Sequence, residues 1–446
     1  MPLFTLPPEL SSGIGDAWRS VPLQSAQGAT AIDFSAIPNR RAVYVFLEED
    51  EHVVLVATTA HLRNTLVHRL AEIPEGAHTR AIPYGQFCRK LIYFPAHSPF
   101  SADLIFLLLV RHWYPQTFGE MLSWRRPWFV EARIGQMFPR LIKTDSPEEL
   151  SLAAGPVDSR AAAGRLIETV EELFDLCRYY SILQQAPDGA ACAYKDMGKC
   201  PAPCDGSISM DQYRTQLAAA IDLARNLHAP CGDSAWNRWH AAQESAMRQA
   251  AAQLRFEQAN NLKTRLARAD VLQTSAFAAV QAADKFCYLA LQPGAGRPWI
   301  EPFYIHGGTI QRQAAVHKRD LPAACGRWCT DVCAAANSAE DFQSSRLWFA
   351  GLLTHHLYRG EADPGLYLPA QELHDEQAVC RRVQEWLKKP PRKMPGDPGA
   401  SSGADNSAAG PSPDLISEAT ANAAPTNLYP GAGRAGSSNP AAEEHV

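Results

Sequence analysis

Four cysteines in the middle of this 446-residue chain constrain its fold more than any other feature. They are Cys177, Cys192, Cys200 and Cys204, and the last three lie in the segment ACAYKDMGKCPAPC. The prolines and glycine of this segment indicate a loop rather than a helix or strand. Four thiolates so close together suit an iron–sulfur cluster or a tetrahedral zinc ion. Four free thiols are the third alternative.

The composition is typical of a soluble protein with about two to four domains. Hydrophobic residues make up 46% of the chain and charged residues 20%. The longest apolar stretch, Leu104 to Val110, is far shorter than the ~20 residues that span a bilayer. The N-terminus lacks the features of a secretory signal, and eleven cysteines without a signal favour a reduced compartment. We therefore expect a cytoplasmic protein with no membrane partner.

The segment 111–143 combines positive charge with aromatic side chains. The whole chain has a net charge of −5, but this segment carries six basic and two acidic residues. Its aromatic residues are Trp113, Tyr114, Phe118, Trp124, Trp128, Phe129 and Phe138. Such a mixture suits a DNA-contacting surface that includes Arg125 and Arg126. The alternative is that the aromatics fill a core and the arginines form its solvated rim.

Apolar patterns along the chain predict a multidomain α/β (α+β) fold. The two β-branched runs of residues 41–59 predict a β-hairpin, and residues 160–183 predict one amphipathic helix. Residues 239–272 predict a hairpin of two helices. The predicted regions are an irregular extension (1–37), an α/β domain (38–150), a cysteine-cluster module (151–210), a helical region (211–275), a small α/β region (276–388) and a disordered tail (389–446).

The cysteines belong to a longer motif. It begins at Gly155-Pro156, continues through a helix ending in Leu173-Phe174, and closes with CAYKDMGKCPAPCDG. This order resembles the UvrC family, the incising component of the bacterial UvrABC excinuclease, including its shorter paralogues. The resemblance implies an iron–sulfur (4Fe–4S) cluster, with zinc as the alternative, on the four ligands Cys177, Cys192, Cys200 and Cys204. The short spacing from Phe174 to Cys177 departs from the family pattern.

A second motif, LRFEQANNLKTRLARADVL, begins at Leu254. It resembles the UVR motif, the helical hairpin by which UvrC-family proteins dock on UvrB. The resemblance implies a UvrB-like partner and a docking surface that consists of Phe256, Glu257, Ala259, Leu262 and Arg265. The alternative is an ordinary surface helix that packs on its own chain.

The third motif is incomplete. RAVYVF keeps Tyr44, and resembles the first half of the signature of the GIY-YIG nuclease domain that begins UvrC-family chains. The family's second tyrosine is replaced by Leu55, its arginine aligns with Thr65, and its metal-binding glutamate falls near Ser101. Leucine cannot donate a proton, and threonine carries no charge for a phosphate. The resemblance therefore implies a degenerate GIY-YIG-like domain over 38–150 in which Tyr44 is vestigial.

Together these motifs imply a UvrC-like excinuclease protein of nucleotide excision repair. It would dock on a UvrB-like partner and act on damaged double-stranded DNA, with an impaired nuclease site. Enzymatic activity stays open, and Mg²⁺ or Mn²⁺ is expected only if the nuclease is active. Two alternatives are a non-catalytic adaptor that binds DNA or the partner, and a cluster-stabilised structural protein without a DNA role. The region 276–388 is a small remnant, too short for the family's second nuclease.

Overall fold

The described part of the chain forms three antiparallel β-sheets with helices packed on their faces. A computed structural model of the chain describes residues 1–10, 17–23, 32–71, 82–228, 235–296, 298–336 and 347–389. The predicted mixed α and β character of several regions is confirmed. The predicted disordered tail lies outside the described residues, except for Lys389.

The first sheet has the strand order β1-β4-β2-β3. Its strands are β1 (Arg19–Pro22), β2 (Ala42–Leu47), β3 (Val53–Thr59) and β4 (Lys90–Pro95). The predicted hairpin over residues 41–59 is confirmed as β2 and β3, with Tyr44 paired with Ala57. Every side chain of β2 is buried, because helices cover both faces of this sheet.

The segment 1–37 is less irregular than predicted. It contributes β1, which pairs with the edge of β4. Leu10 is buried, and the Trp113 indole donates a hydrogen bond to the Thr5 carbonyl at 2.9 Å. These contacts involve single residues that follow neither a helical nor an alternating period. The apolar pattern of the sequence therefore did not indicate them.

The helices beside the first sheet are α1 (Leu62–Leu70), α2 (Tyr84–Phe87), α3 (Pro99–Trp113) and α4 (Phe118–Met121). Helix α3 begins where the Ser98 side chain accepts a hydrogen bond from the Ser101 amide. Pro99 is its first residue, and both features favour helix initiation. Eleven of its 15 residues are buried. The apolar run therefore forms a helix at the centre of a core.

The second sheet has the order β6-β5-β7-β8 and carries the cysteine module. Its strands are β5 (Trp128–Ala132), β6 (Leu141–Thr144), β7 (Ala153–Val157) and β8 (Gln281–Ala282). Its helices are α5 (Arg160–Leu173), α6 (Tyr180–Leu183), α7 (Ala193–Asp196) and α8 (Met210–Arg225). A Cβ atom at Gly155 would lie 2.6 Å from the Phe129 ring, so the close approach of β7 to β5 requires glycine there.

The single helix predicted over residues 160–183 is divided in the structure. Helix α5 ends at Leu173, and Asp175 takes a left-handed backbone conformation with a φ of 51°. A helix cannot continue through that conformation. Apolar residues keep a helical spacing across the break, so their period indicated one helix. The break lets Cys177 join the same buried cluster as Cys200.

Helices α9 (Ala235–Ala252) and α10 (Phe256–Ala269) form the predicted helical hairpin. The short connection contains Leu254, whose backbone is left-handed with a φ of 57°. Arg268 of α10 donates a hydrogen bond to Glu172 of α5 at 3.1 Å. The hairpin is thus attached to the cysteine module near its C-terminal end.

The third sheet has the order β11-β10-β9-β13, and β12 also pairs with β10. Its strands are β9 (Cys287–Pro293), β10 (Trp299–His306), β11 (Thr309–Arg312), β12 (Val316–His317) and β13 (Leu366–Pro369). Its helices are α11 (Leu321–Ala336), α12 (Leu347–Leu357) and α13 (Glu376–Lys388). Gly307 and Gly308 form the turn between β10 and β11 with positive φ angles of 54° and 73°, a conformation that glycine adopts without strain.

The first and third sheets share one core. Val45 and Phe94 of the first sheet, α3, Phe303 of the third sheet and Leu353 of α12 belong to one buried cluster. The opposite face of the third sheet packs on α11 and α13. The segments predicted as separate regions over 38–150 and 276–388 are therefore joined through α3.

A buried ionic group crosses this junction. His356 of α12 lies 2.5 Å from Asp363 through Nδ1 and 3.1 Å from Asp103 of α3 through Nε2. Burial alone would lower the pKa of His356, but the hydrogen bonds to the two carboxylates outweigh it and raise the pKa above its ordinary value. Because both ring nitrogens face carboxylates, the protonated imidazolium is the favoured form.

We expect Asp363→Asn to destabilise the protein by about 3–5 kcal/mol near pH 6, because it leaves a buried imidazolium with one of its two charge partners removed. A histidine with a raised folded-state pKa contributes stability below its unfolded pKa of about 6.5. That contribution is lost as the pH rises through the folded-state pKa. The cost should therefore shrink near pH 9, as measured by urea unfolding.

The control is Asp211→Asn, which removes a carboxylate that is 92% exposed and paired with Arg214. It should change the unfolding free energy by less than about 1 kcal/mol. An equal cost of Asp363→Asn at both pH values would contradict an ionic origin.

Candidate functional site

The cysteine module begins at the turn that ends α5. The left-handed conformation of Asp175 costs a residue with a side chain about 1–2 kcal/mol. Arg265 of α10 offsets this cost, since its Nη2 donates to both carboxylate oxygens of Asp175 at 2.7 and 2.6 Å. The helical hairpin thus fixes the turn that comes immediately before Cys177.

Hydrogen bonds close the loop that carries Cys192, Cys200 and Cys204. The Gly189 amide donates to the Cys204 carbonyl at 2.9 Å. Lys195 donates to Asp205 at 2.5 Å and to Ser207 at 2.7 Å. These contacts hold the loop in a defined shape through its own residues.

The four thiols lie at the same end of the module, and none forms a disulfide. Cys177, Cys200 and Cys204 are buried, whereas Cys192 is partly exposed. A hydrogen bond between the thiols of Cys177 and Cys200 raises the pKa of Cys177, with burial acting in the same direction. The same bond lowers the pKa of Cys200 to about 6. One thiolate is therefore stabilised within this pair.

The donor set suits a soft metal by its chemistry but is only partly assembled. Cys177 and Cys200 are in contact, and Cys204 interacts electrostatically with Cys200 and Cys192, although burial is the main cause of its raised pKa. Within the described ranges, no three His, Cys, Asp or Glu side chains lie close enough to hold a metal ion. The four predicted ligands remain a prediction.

The tip of the helical hairpin exposes large apolar side chains. Leu254 is 73% exposed and Phe256 is 67% exposed. Glu257 is also exposed, and Ala259 and Leu262 are partly exposed. Among the residues predicted to form the docking surface, Arg265 is instead engaged with Asp175 of its own chain.

The face predicted to be a degenerate nuclease site is closed. Tyr44 is fully buried, and its hydroxyl meets no partner within hydrogen-bonding geometry among the described residues. Burial raises the pKa of Tyr44 to about 12, against a lowering by the nearby Arg69. Arg63 donates to the carbonyls of Ile37 and Ser35 at 2.7 and 3.1 Å.

Ser101, at the position where the family has its glutamate, lies in a polar contact with the third sheet. Its hydroxyl donates to Glu301 at 3.1 Å, and Arg312 also donates to Glu301 at 3.1 Å. Asp103, the nearest carboxylate in the sequence, is bound to His356. The carboxylates near the start of α3 are thus engaged within the protein.

The two arginines predicted to contact DNA have intramolecular partners. Arg125 donates to the carbonyls of Leu122 and Trp124 at 2.7 and 3.1 Å. Arg126 forms an ion pair with Asp145 at 2.6 Å. Most of the aromatic residues of segment 111–143 are buried or partly buried, as its alternative interpretation expects. DNA contact by these arginines remains a prediction.

Comparison with known proteins identifies the lineage of the cysteine module. A family model described as the middle domain of UvrC/Cho excinuclease matches residues 127–223, from the start of the second sheet to the end of α8. The matched region contains all four cysteines. The cysteine module is therefore similar to the middle domain of the UvrC/Cho excinuclease family.

Individual members of the UvrC family show the same similarity. The chain is 24% identical to UvrABC system protein C of Methanosarcina mazei, over 55% of this chain and 44% of that protein. It is 22% identical to the protein of that name from Syntrophomonas wolfei, over 52% of this chain and 36% of that protein. It is 25% identical to UvrABC system protein C of Desulforudis audaxviator, over 58% of this chain and 37% of that protein.

The match thus spans less than half of the length of each of these UvrC relatives. No solved structure matches the chain. None of the helices in the described ranges is long and apolar enough to cross a membrane.

Sequence reasoning missed the polar contacts at the start of α3. It assigned no role to Glu301, His356 or Asp363, which connect α3 to the third sheet. Ser101 and Glu301 are 200 positions apart and Asp103 and His356 are 253 positions apart, so no local motif indicates these contacts. The one available sign was the Ser and Asp at the start of an otherwise apolar helix, since buried polar groups need partners.

Proposed function

We propose that this chain is a UvrC-like excinuclease protein of nucleotide excision repair that docks on a UvrB-like partner through α9 and α10. The observation that carries the proposal is the hairpin tip, where Leu254 and Phe256 are 73% and 67% exposed. Large apolar side chains that cluster at such exposure mark protein-binding surfaces. The exposed carboxylate of Glu257 would supply a charged rim that selects the partner.

The attachment of the hairpin supports this role. Arg268 pairs with Glu172 of α5 and Arg265 pairs with Asp175 of the turn that follows, so two ion pairs fix α10 to the end of α5. A hairpin held in one orientation loses less conformational freedom on binding than a mobile one. The docking surface would therefore be the tip and the outer face of the hairpin, and Arg265 would act by orienting it.

We further propose that Cys177, Cys192, Cys200 and Cys204 hold an iron–sulfur cluster, with a zinc ion as the alternative. Cys177 and Cys200 are in hydrogen-bonding contact, which lowers the pKa of Cys200 and so favours a thiolate there. Such a group, when bound, would link the loop to the end of α5.

The substrate of the assembled complex would be damaged double-stranded DNA. The burial of Tyr44 and the place of Ser101 support an impaired nuclease site in this chain. Incision would then depend on other components, and Mg²⁺ or Mn²⁺ would be needed here only if the site retained activity. A non-catalytic adaptor that binds DNA or the partner is the second candidate, and these same two observations favour it.

We expect Phe256→Ala to weaken capture of a purified UvrB-like partner by about tenfold or more, because buried aromatic side chains dominate protein interfaces. Binding is measured by surface plasmon resonance with the full chain. The matched control is Phe87→Ala, which makes the same truncation at a phenylalanine that is 38% exposed in α2, away from the hairpin. Unchanged capture by Phe256→Ala would contradict docking through the hairpin.

Anaerobically purified protein should contain about four iron atoms per chain and show the visible absorption of iron–thiolate bonds. Cys200→Ser should remove most of this iron, because it deletes a central ligand. Cys333→Ser, at a partly exposed thiol of α11, should retain it. Zinc in place of iron would support the alternative, and the same metal content in both variants would contradict a site at these cysteines.

A further inference from the structure

Two arginines of the cysteine module lie over tyrosine rings. The guanidinium carbon of Arg140 is 3.7 Å from the centre of the Tyr180 ring, and that of Arg178 is 4.7 Å from the centre of the Tyr194 ring. The Tyr179 ring lies 5.8 Å from that of Tyr194. We call these five residues the arginine–tyrosine patch.

The two arginines differ from others of the module in having no acidic partner. Within the described ranges, neither Arg140 nor Arg178 forms an ion pair, and the Nε atom of each is buried without a hydrogen bond. Arg178 donates a hydrogen bond to the Tyr194 hydroxyl at 3.4 Å. By contrast, Arg133 pairs with Glu131 and with Glu148, and Arg214 and Arg225 pair with Asp211 and Asp284.

The charge of the patch is therefore not neutralised by direct contact. Glu171 acts on Arg178 electrostatically without forming an ion pair, and burial raises the pKa of this glutamate to about 7. Its charge is thus reduced near neutral pH. Lys199, whose amide donates to the Tyr194 carbonyl at 2.8 Å, adds an exposed positive charge beside the patch.

The patch also presents an aromatic surface to solvent. Tyr179 is 48% exposed, and Met197 nearby in the sequence is 58% exposed. An arginine stacked on a tyrosine keeps its outward N–H groups in a fixed plane, ready for an anionic acceptor. Stacked rings and oriented guanidinium groups are the combination that proteins use for unpaired bases and their phosphates.

We propose that the arginine–tyrosine patch binds single-stranded DNA, with Arg140 and Arg178 contacting phosphates and Tyr179 stacking on a base. This inference rests on the proposed function in DNA repair and adds a second contact, separate from the docking hairpin. Charge complementarity favours an anionic ligand, and the exposed ring favours one with unpaired bases over a duplex, whose bases are already stacked.

The test is the fluorescence anisotropy of a labelled 20-nucleotide DNA strand of mixed sequence, titrated with the full chain at several salt concentrations. Tyr179→Ala should weaken binding by at least about fivefold, as expected from the loss of one stacked base. Tyr179→Phe keeps the ring and should bind like the unaltered protein. Arg178→Gln should weaken binding and reduce the slope of log K against log salt by about 0.7.

The matched control for charge is Arg382→Gln. Arg382 lies in α13, which packs on the third sheet, and is paired with Glu372. It makes the same charge change and should leave both the affinity and the salt slope unaltered. The melting temperature of every variant is measured to verify that the module is folded.

Several outcomes would overturn the inference. One is that Tyr179→Ala and Arg178→Gln bind the DNA strand as tightly as the unaltered protein does. Another is that Tyr179→Phe and Tyr179→Ala lose the same amount of affinity. The third is that the unaltered protein does not bind the strand. An equal effect of Arg178→Gln on binding of polyglutamate would assign the patch to acidic proteins instead. Capture of the UvrB-like partner is measured on the same variants, so that failure of the docking proposal is scored independently.

Discussion

The burial of helix α3 between two sheets is the interaction on which the arrangement of the first and third sheets depends. Its apolar side chains, including Leu107 and Leu109, are inaccessible to solvent, and each such burial stabilises the fold by about 1.5–3 kcal/mol. The few polar groups on this helix are matched by partners from the third sheet: Ser101 by Glu301, and Asp103 by His356. Apolar packing supplies most of the stabilisation, and these polar pairs fix the orientation because an unmatched buried group is costly.

The same helix bears on the proposal that the nuclease site of this chain is impaired. A catalytic metal ion needs a carboxylate that faces solvent and substrate. Here the corresponding position, Ser101, is 5% exposed and faces the third sheet. On the opposite face of the first sheet, Tyr44 packs at 5.5 Å from Phe46, ring centre to ring centre. Both of these positions therefore serve packing within the protein.

Elements with a strong local period were predictable from the sequence. The β2–β3 hairpin and the α9–α10 hairpin follow from alternating and helical apolar spacing. Asp175 was not predictable, because its left-handed conformation depends on Arg265, which lies 90 residues away. The Asp103–His356 contact joins residues 253 positions apart. For the candidate site, the cysteine motif indicated the resemblance that the family model supports over residues 127–223. Burial of the thiols and contact between them required the fold.

The cysteine module, the hairpin and the arginine–tyrosine patch are connected through α5 and its terminal turn, whereas the first sheet is connected to the third. This division separates the proposed binding surfaces from the first sheet, which carries Tyr44. The most direct test is an incision assay on a lesion-bearing duplex with a UvrB-like partner and Mn²⁺. We expect the chain to bind its partner and to leave both strands intact. Incision that is abolished by Tyr44→Phe would contradict an impaired nuclease site.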